Sequence, residues 1–321
     1  MNEEKQQRAR QYTYTVVIPV FNSEAVIGET LRQTAAFFEA QDWNYEIIAV
    51  NDGSSDHSEA VLHQSAQENP HIIAISLIRN FGQHNALFCG LQHSSGDYVI
   101  TIDDDLQNPP GEIIHLVDKA LESDYDLVIG QFRRKAHAWY RRSGSQVIAW
   151  VNRHVFDQPP DLVLTNFRLI RRDVVERINN YRTTFPYISG MVLMFSSHYA
   201  NVMVDHHPRT VGASQYNWFR ITNLVLRILF NYSAFPLQLV SLGGIGISLI
   251  AFLLGMFFLF KSIFLGVSVP GWTTIVVLIS LFTGINIAIT SVLGQYVVRL
   301  MQQSGSTQSY YVKQIFRQNH E

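Results

Sequence analysis

Residues 98–110 read YVITIDDDLQNPP. An apolar run of strand-forming residues ends in Asp103, Asp104 and Asp105, and a polar turn closed by Pro109 and Pro110 follows. Continuous apolar strands of this length belong to a sheet covered on both faces, and in such sheets ligands bind beyond the carboxyl ends of the strands. Three adjacent carboxylates at a strand end repel one another and stay ionised only with strong solvation or a cation. A hard divalent ion, Mg2+ or Mn2+, satisfies that need through one or two carboxylates and shares its other positions with substrate phosphates. The run equally suits an acidic loop that caps the following helix, whose N-terminus favours negative charge.

Working outward, residues 15–20 (TVVIPV), 45–50 (YEIIAV), 72–77 and 127–130 repeat the strand pattern, and amphipathic segments separate them. Residues 25–40 place Ile27, Leu31, Ala35 and Phe38 on one helical face, with Asn22 or Ser23 as the cap. Residues 58–67, 85–93 and 110–123 read as further helices, the last opening on a proline. This alternation predicts an α/β domain with a mainly parallel sheet. Its strand ends carry Pro19 and Asn22, then Asn51, Asp52 and Gly53, then Asp103 to Gln107, so polar and acidic groups gather at one sheet edge. No GxGxxG follows a strand and no GxxxxGK[ST] occurs, which argues against a Rossmann dinucleotide site and a P-loop.

The apolar residues are unevenly distributed. Between residues 228 and 298 the only charge is Lys261. Residues 237–260 (LQLVSLGGIGISLIAFLLGMFFLF) and 272–298 are each long enough to cross a hydrocarbon core of about 30 Å. Residues 266–271, with Pro270, form the turn of a predicted membrane hairpin. Arg220 and Arg227 before it and Arg299, Lys313 and Arg317 after it predict both ends on the cytoplasmic side, and the expected location is the cytoplasmic (inner) membrane. The polar opening MNEEKQQRAR leads into no apolar segment, so no signal peptide is expected. Residues 216–235 set Trp218, Ile221, Leu224, Val225, Ile228 and Leu229 at helical spacing, which suits a helix along the membrane surface or one packed on the soluble part. The expected segments are therefore a catalytic domain over 1–213, a juxtamembrane helix over 214–235, two transmembrane helices over 236–299 and a C-terminal tail over 300–321.

Composition narrows the function classes. With 47% hydrophobic and 16% charged residues, a net charge of -2 and a mean hydropathy of +0.05, the chain is too apolar for disorder and too neutral for a nucleic-acid binder held by phosphate contacts. The single Cys89 forms no internal disulfide and reads as a small buried apolar residue.

The segments VVIPVFNSE (16–24), VNDGSSD (50–56), RNFGQHNALFCGL (79–91) and TIDDDLQNPP (101–110), in this order, resemble the family 2 glycosyltransferases with a GT-A fold. More narrowly they resemble the polyprenyl-phosphate glycosyltransferases, a group that includes dolichyl-phosphate mannose synthases, bactoprenol glucosyltransferases and undecaprenyl-phosphate aminoarabinose transferases of lipid A modification. RTVGASQY (209–216) is similar to that group's RxxGxSKY, and Gly294-Gln295-Tyr296 with Arg299 is similar to its GEYxxR after the second span. The resemblance, from the first of these motifs to the last, spans about nine tenths of the chain.

The resemblance implies roles by position. Asp52 would contact the uracil or ribose side of a nucleotide, with Pro19, Asn22 and Asp104 also lining the donor site. Asp103 and Asp105 match the DxD pair, so Asp105 and Gln107 would hold Mg2+ or Mn2+ with Asp103 beside them. Arg133, Arg141, Ser145 and Arg209 match positions that hold phosphate, Ser214 would also bind substrate, and guanidinium groups suit a site joining a sugar diphosphate to a lipid phosphate. The implied reaction is inverting transfer of one sugar from a nucleotide sugar, UDP-linked by resemblance, to a polyprenyl phosphate such as undecaprenyl phosphate. The acceptor's second pKa lies near about 6, so its oxygen is largely anionic at neutral pH and needs little help from a base.

Three positions depart from the group's pattern. Asn166 stands where an aspartate is common, so it accepts no proton, and the residue orients sugar or phosphate or serves the local structure. Gln215 replaces a lysine, and Gln295 replaces a glutamate in a helix. A processive polysaccharide synthase would want more spans and a QxxRW motif, which is absent, while a non-catalytic scaffold fits poorly with an intact Asp103, Asp105 and Gln107 set. Asp205, His206 and His207 lack the spacing of a zinc site. Gly243, Gly244, Gly246 and Gly284 suit close helix packing, as in a homo-oligomer, and are equally ordinary membrane-helix composition. A product made at the cytoplasmic face calls for a flippase and an outward-facing glycosyltransferase as pathway neighbours. The sugar pocket is expected along residues 161–166 and 185–191.

Overall fold

The computed structural model describes residues 1–132, 148–205, 207, 218–233, 235–265, 271–303 and 308–318. By internal contacts the chain falls into two units, Met1–Val225 with Thr307–Glu321, and Leu226–Ser306.

The first unit is the expected α/β domain. Its elements in order are α1 (Glu3–Ala9), β1 (Thr13–Val20), α2 (Ile27–Gln41), β2 (Asn44–Asn51), α3 (Ser58–Glu68), β3 (Ile72–Leu77), α4 (Gln83–His93), β4 (Tyr98–Thr101), α5 (Ile113–Ser123) and β5 (Leu127–Phe132). There follow α6, whose described part covers residues 148–155, then β6 (Arg168–Arg171), α7 (Arg172–Asn180), α8 (Ile188–Phe195) and β7 (Tyr199–Val204). A 3-10 turn at Pro110–Glu112 precedes α5. The sheet runs β7-β5-β6-β4-β1-β2-β3-β8, where β8 is Val312–Phe316. β1 lies parallel to β2 and β4, and β2 lies parallel to β3. β6 inserts antiparallel between β4 and β5.

Burial explains why the apolar runs become central strands. In β1, Tyr14, Val16, Ile18 and Val20 join one core with α2 and α5, and their neighbour Val17 faces α4 on the other side. A Cβ at Gly90 would lie 2.2 Å from Val17 Cγ1, so only glycine lets α4 seat this closely on the sheet.

Several local expectations are corrected. Helix α2, expected from residue 25, begins at Ile27 with Val26 as its uncapped N-cap, and Asn22, with a left-handed φ of 51°, belongs to the loop after β1. Pro110 opens the 3-10 turn and the α-helix starts three residues later. The segment expected only as a tail after residue 300 supplies β8, which pairs antiparallel with β3 from Ala74↔Phe316 to Leu77↔Val312. Without it the outer edge of β3 would leave a row of unpaired backbone groups. Tyr310 and Val312 pack with Ile73, Ile75 and Cys89, and Lys313 pairs with Glu59 at 3.0 Å.

The helix α9 (Trp218–Tyr232) leads into the second unit, where α10 (Phe235–Leu265) and α11 (Trp272–Gln303) form a hairpin. Residues Leu242–Lys261 and Thr274–Val298 are long and apolar enough to cross a membrane, and their side chains are mostly exposed within the protein. Gly244 faces Ser291 and Gly284 faces Ser248, so these two glycines serve contact between α10 and α11.

Candidate functional site

The loops after β1, β2 and β4 meet at the carboxyl edge of the sheet, joined by the loop that follows β3. Asp52, 2% exposed, directly follows β2 and accepts hydrogen bonds from the Phe81 N–H at 2.7 Å and the Gly82 N–H at 2.8 Å. Burial raises its pKa and these two donors oppose the rise. Its neighbour Gly53 has φ +65°, and a Cβ there would meet the backbone of Arg79 and Asn80 at 2.4–2.5 Å. Asp52 and Gly53 therefore shape the 79–82 loop together, one by hydrogen bonds and one by close approach.

Asn22 joins the first two loops. Its Oδ1 accepts from the Ser55 N–H at 2.8 Å, and its own N–H donates to Ser54 Oγ at 3.0 Å. Pro19, expected at the site, is instead buried inside β1 opposite Val50, because the strand continues through Val20.

The acidic run divides into three environments. Asp103 is half-buried, and its Oδ1 accepts from Gln83 Nε2 at 2.8 Å and Asn166 Nδ2 at 3.3 Å. Burial and then the neighbouring Asp105 charge push its pKa up to about 6, with the Asn166 hydrogen bond, and then Arg168, opposing. Asp104 turns away and accepts from the Ser23 hydroxyl at 2.5 Å and the Phe21 N–H at 3.3 Å. Asp105 Oδ1 accepts from the Gln107 N–H at 3.1 Å across a tight turn in which Leu106 takes φ 57°. Gln107 O in turn accepts from the His207 N–H at 2.9 Å, which ties the segment after β7 to the acidic loop.

Beneath the run lies a polar layer built around Arg168, a residue to which the sequence alone assigned no role. Arg168 is 0% exposed and donates to Asn166 Oδ1 at 3.0 Å and to Ser189 Oγ at 3.4 Å, and its Nε has no partner among the described residues. Burial lowers its pKa to about 10. His84 stands edge-on to Tyr187 with ring centroids 5.0 Å apart, and burial, then Arg168, lower its pKa to about 4. The signal that could have found Arg168 was its place between the apolar Phe167 and the Leu169-Ile170 pair. Gln83 offered none, since it sits on an exposed helix start.

Asp103, Asp105 and Gln107 offer oxygen donors, the chemistry that Mg2+ and Mn2+ prefer, so the residues present fit such an ion. Among the described residues no three His, Cys, Asp or Glu side chains form a closed metal cage. An ion held here would take other ligands from substrate phosphates or water. Arg133, Arg141, Ser145, Arg209 and Ser214, expected from the resemblance to bind substrate, lie outside the described residues, as do Gln215 and His206.

Comparison with protein-family profiles matches residues 15–199 to Glycosyl transferase family 2. The chain belongs to this family. It is a glycosyltransferase with a GT-A-like α/β sheet and a C-terminal apolar hairpin. Among curated glycosyltransferases it is 32% identical over 304 residues to the undecaprenyl-phosphate 4-deoxy-4-formamido-L-arabinose transferase of Shewanella sediminis (strain HAW-EB3), across 94% of this chain and 92% of that one. It is 31% identical to the protein of the same name from Sodalis glossinidius (strain morsitans), across 95% and 94% of the two chains. Among solved structures it is similar to the glucosyl-3-phosphoglycerate synthase from Mycobacterium tuberculosis, crystallised with Mn2+, UDP-glucose and phosphoglyceric acid, with TM-score 0.54 and 17% identity over 72% of this chain and 82% of that one. That likeness concerns the glycosyltransferase fold.

Proposed function

We propose that this glycosyltransferase moves one sugar from a UDP-linked donor to undecaprenyl or a similar polyprenyl phosphate at the cytoplasmic face of the inner membrane, with inversion and with Mg2+ or Mn2+ as cofactor. The observation that carries the reading is the turn from Asp103 to Gln107 at the carboxyl end of β4, with Asp103 held from two sides and Asp105 folded back onto Gln107. The curated relatives supply the acceptor class, since their names specify undecaprenyl phosphate. The apolar hairpin suits an acceptor whose long hydrocarbon tail stays in a membrane.

Asp105 and Gln107, with Asp103, would hold the ion, which when bound offsets charge on the donor diphosphate. Asp52 keeps the 79–82 loop in place beside the nucleotide end of the site. The buried Arg168 adds a fixed positive potential below Asp103. Asn166 takes no proton, and none needs taking, because the lipid phosphate is already largely anionic at neutral pH. Its oxygen forms a bond to the anomeric carbon as the bond from that carbon to the donor diphosphate breaks, and the electron pair leaves with the nucleoside diphosphate. Arg209, with Arg133, Arg141 and Ser145, is proposed to hold the two phosphate groups, and Ser214 to bind substrate, on the strength of the family resemblance.

The test is transfer of radiolabelled sugar to undecaprenyl phosphate by the purified full-length protein in detergent. The donors are UDP-linked 4-deoxy-4-formamido-L-arabinose, the sugar in the relatives' names, with UDP-glucose, UDP-N-acetylglucosamine, GDP-mannose and a dTDP-sugar, each with Mg2+, Mn2+ or EDTA. Metal-dependent formation of a single-sugar lipid phosphate supports the reading. Polymer longer than one sugar, or nucleotide binding without any lipid product, overturns it.

A further inference from the structure

Asn166 occupies the position where the resemblance leads one to expect a carboxylate, and its side chain is engaged at both ends. Nδ2 donates to Asp103 Oδ1 at 3.3 Å, and Oδ1 accepts from Arg168 Nη2 at 3.0 Å. Its backbone carbonyl accepts from the Thr101 hydroxyl, which anchors the residue to the end of β4. A carboxylate only accepts and a guanidinium only donates, so a single amide orientation satisfies both neighbours. Gln83, from the first turn of α4, donates to the same Asp103 oxygen at 2.8 Å. Two neutral amides from different elements thus converge on Oδ1, and among the described residues Oδ2 takes no hydrogen bond.

Arg168 makes the arrangement consequential. Among the described residues this fully buried cation has only neutral partners within hydrogen-bond reach, Asn166 and Ser189, and its Nε has none. A buried guanidinium in this state is strongly drawn to an anion. The amide of Asn166 stands between it and Asp103. Were that amide removed, the guanidinium would gain access to Asp103 and compete for the oxygen that the donor site needs.

We propose that Asn166 and Gln83 are positioning residues that pin Asp103 by Oδ1 and leave Oδ2 for the donor site, and that Asn166 also keeps Arg168 from pairing with Asp103. In this role Asn166 does not contact the sugar or the lipid phosphate. The inference rests on the metal-dependent reading given above. It assigns the departure at residue 166 a purpose that an aspartate could not serve, since an ionised carboxylate has no proton to donate to Asp103.

The test is Mn2+ binding to the intact protein in detergent with UDP present and no sugar, followed by the electron paramagnetic resonance signal of free Mn2+, alongside melting curves. Asn166→Ala is expected to weaken Mn2+ binding about tenfold, the size of losing one hydrogen bond to a charged group. Gln83→Ala, at an exposed position, is expected to weaken it less, and the double variant by less than the product of the two factors, because both amides serve one oxygen. The KM for undecaprenyl phosphate should not change in either variant. Unaltered Mn2+ affinity in Asn166→Ala, with a raised KM for the nucleotide sugar, would overturn the inference and make Asn166 a sugar contact. If Asn166→Ala melts below the assay temperature, unaltered Mn2+ affinity in Gln83→Ala overturns the pinning of Asp103. Failure of the wild-type protein to bind Mn2+ with UDP would instead remove the metal-dependent reading, a result read before any variant is compared.

Discussion

The Ser23 hydroxyl lies 2.5 Å from Oδ2 of Asp104, and the neighbouring Phe21 N–H reaches the same oxygen at 3.3 Å. The middle carboxylate of the acidic run therefore closes the loop after β1 onto the loop after β4. Its burial raises its pKa, opposed by these two donors. Three adjacent aspartates thus perform different tasks because successive residues leave the strand end in different directions.

Asp104→Asn should consequently raise the KM for the nucleotide sugar by about threefold to tenfold through loosening of the first loop, the usual size of one hydrogen bond. The kcat should change less than the KM. Steady-state kinetics at saturating acceptor separate the two, and a pure kcat defect would show that Asp104 acts on the reacting groups.

Asp105→Ala should abolish metal-dependent transfer and leave the melting temperature within about 2 °C of wild type, because its hydrogen bond from the Gln107 N–H is local to one part-exposed turn. Retention of substantial transfer by this variant would remove Asp105 from the metal set.

Asp52→Asn tests the brace of the 79–82 loop. An amide offers one oxygen and one donor group, so one of the two backbone N–H groups of Phe81 and Gly82 would face another donor inside a buried site. The expected cost is about 2 kcal/mol. UDP affinity measured by calorimetry should fall more than tenfold, and an unchanged affinity would show that the loop holds its shape without Asp52.

Asp126 offers a pH test remote from the site. Burial raises its pKa, but hydrogen bonds from Ser197 and the His198 N–H, with Arg171 at 2.6 Å, outweigh that and hold it below the ordinary carboxylate value. A pKa lower in the folded than in the unfolded state gives stabilisation that is complete above about pH 4 and is lost as pH falls through the folded value. Asp126→Asn should lower the melting temperature by about 4–8 °C at pH 7, equivalent to about 2 kcal/mol, and the gap should close as pH falls below about 4. A gap of constant size from pH 7 to pH 3 would contradict the assignment.

Removal of residues 308–321 should expose the outer edge of β3 and uncover the cluster around Cys89. The truncated protein is expected to aggregate in size-exclusion chromatography and to react with thiol reagents at Cys89, which is buried in the intact chain. A monodisperse truncation with an unreactive thiol would show that β8 is dispensable.

The five apolar runs from residue 15 to residue 130, the acidic loop and both membrane-length segments were legible because each depends on local composition and periodicity. A strand covered on both faces must be apolar throughout, and a span must exclude charge over some twenty residues. Strands β6 and β8 were not legible. β6 carries Arg168 and Arg171 and begins beside Asn166, and β8 carries Lys313 and Gln314, so neither stands out as an apolar run. Each is recruited by an edge or gap that exists only once the other strands have assembled.

The sequence by itself determined the fold class, the family and the acidic turn, since these follow from residue types at short spacing. Only the tertiary structure decided what each acidic and amide group faces. Asp52 turned to the 79–82 backbone, Asp104 turned to Ser23, and Asp103 met amides from Gln83 and Asn166, 20 and 63 residues away in the chain. Hydrogen bonding requires partners within about 3 Å, and no local pattern records which distant segments the sheet order will bring that close.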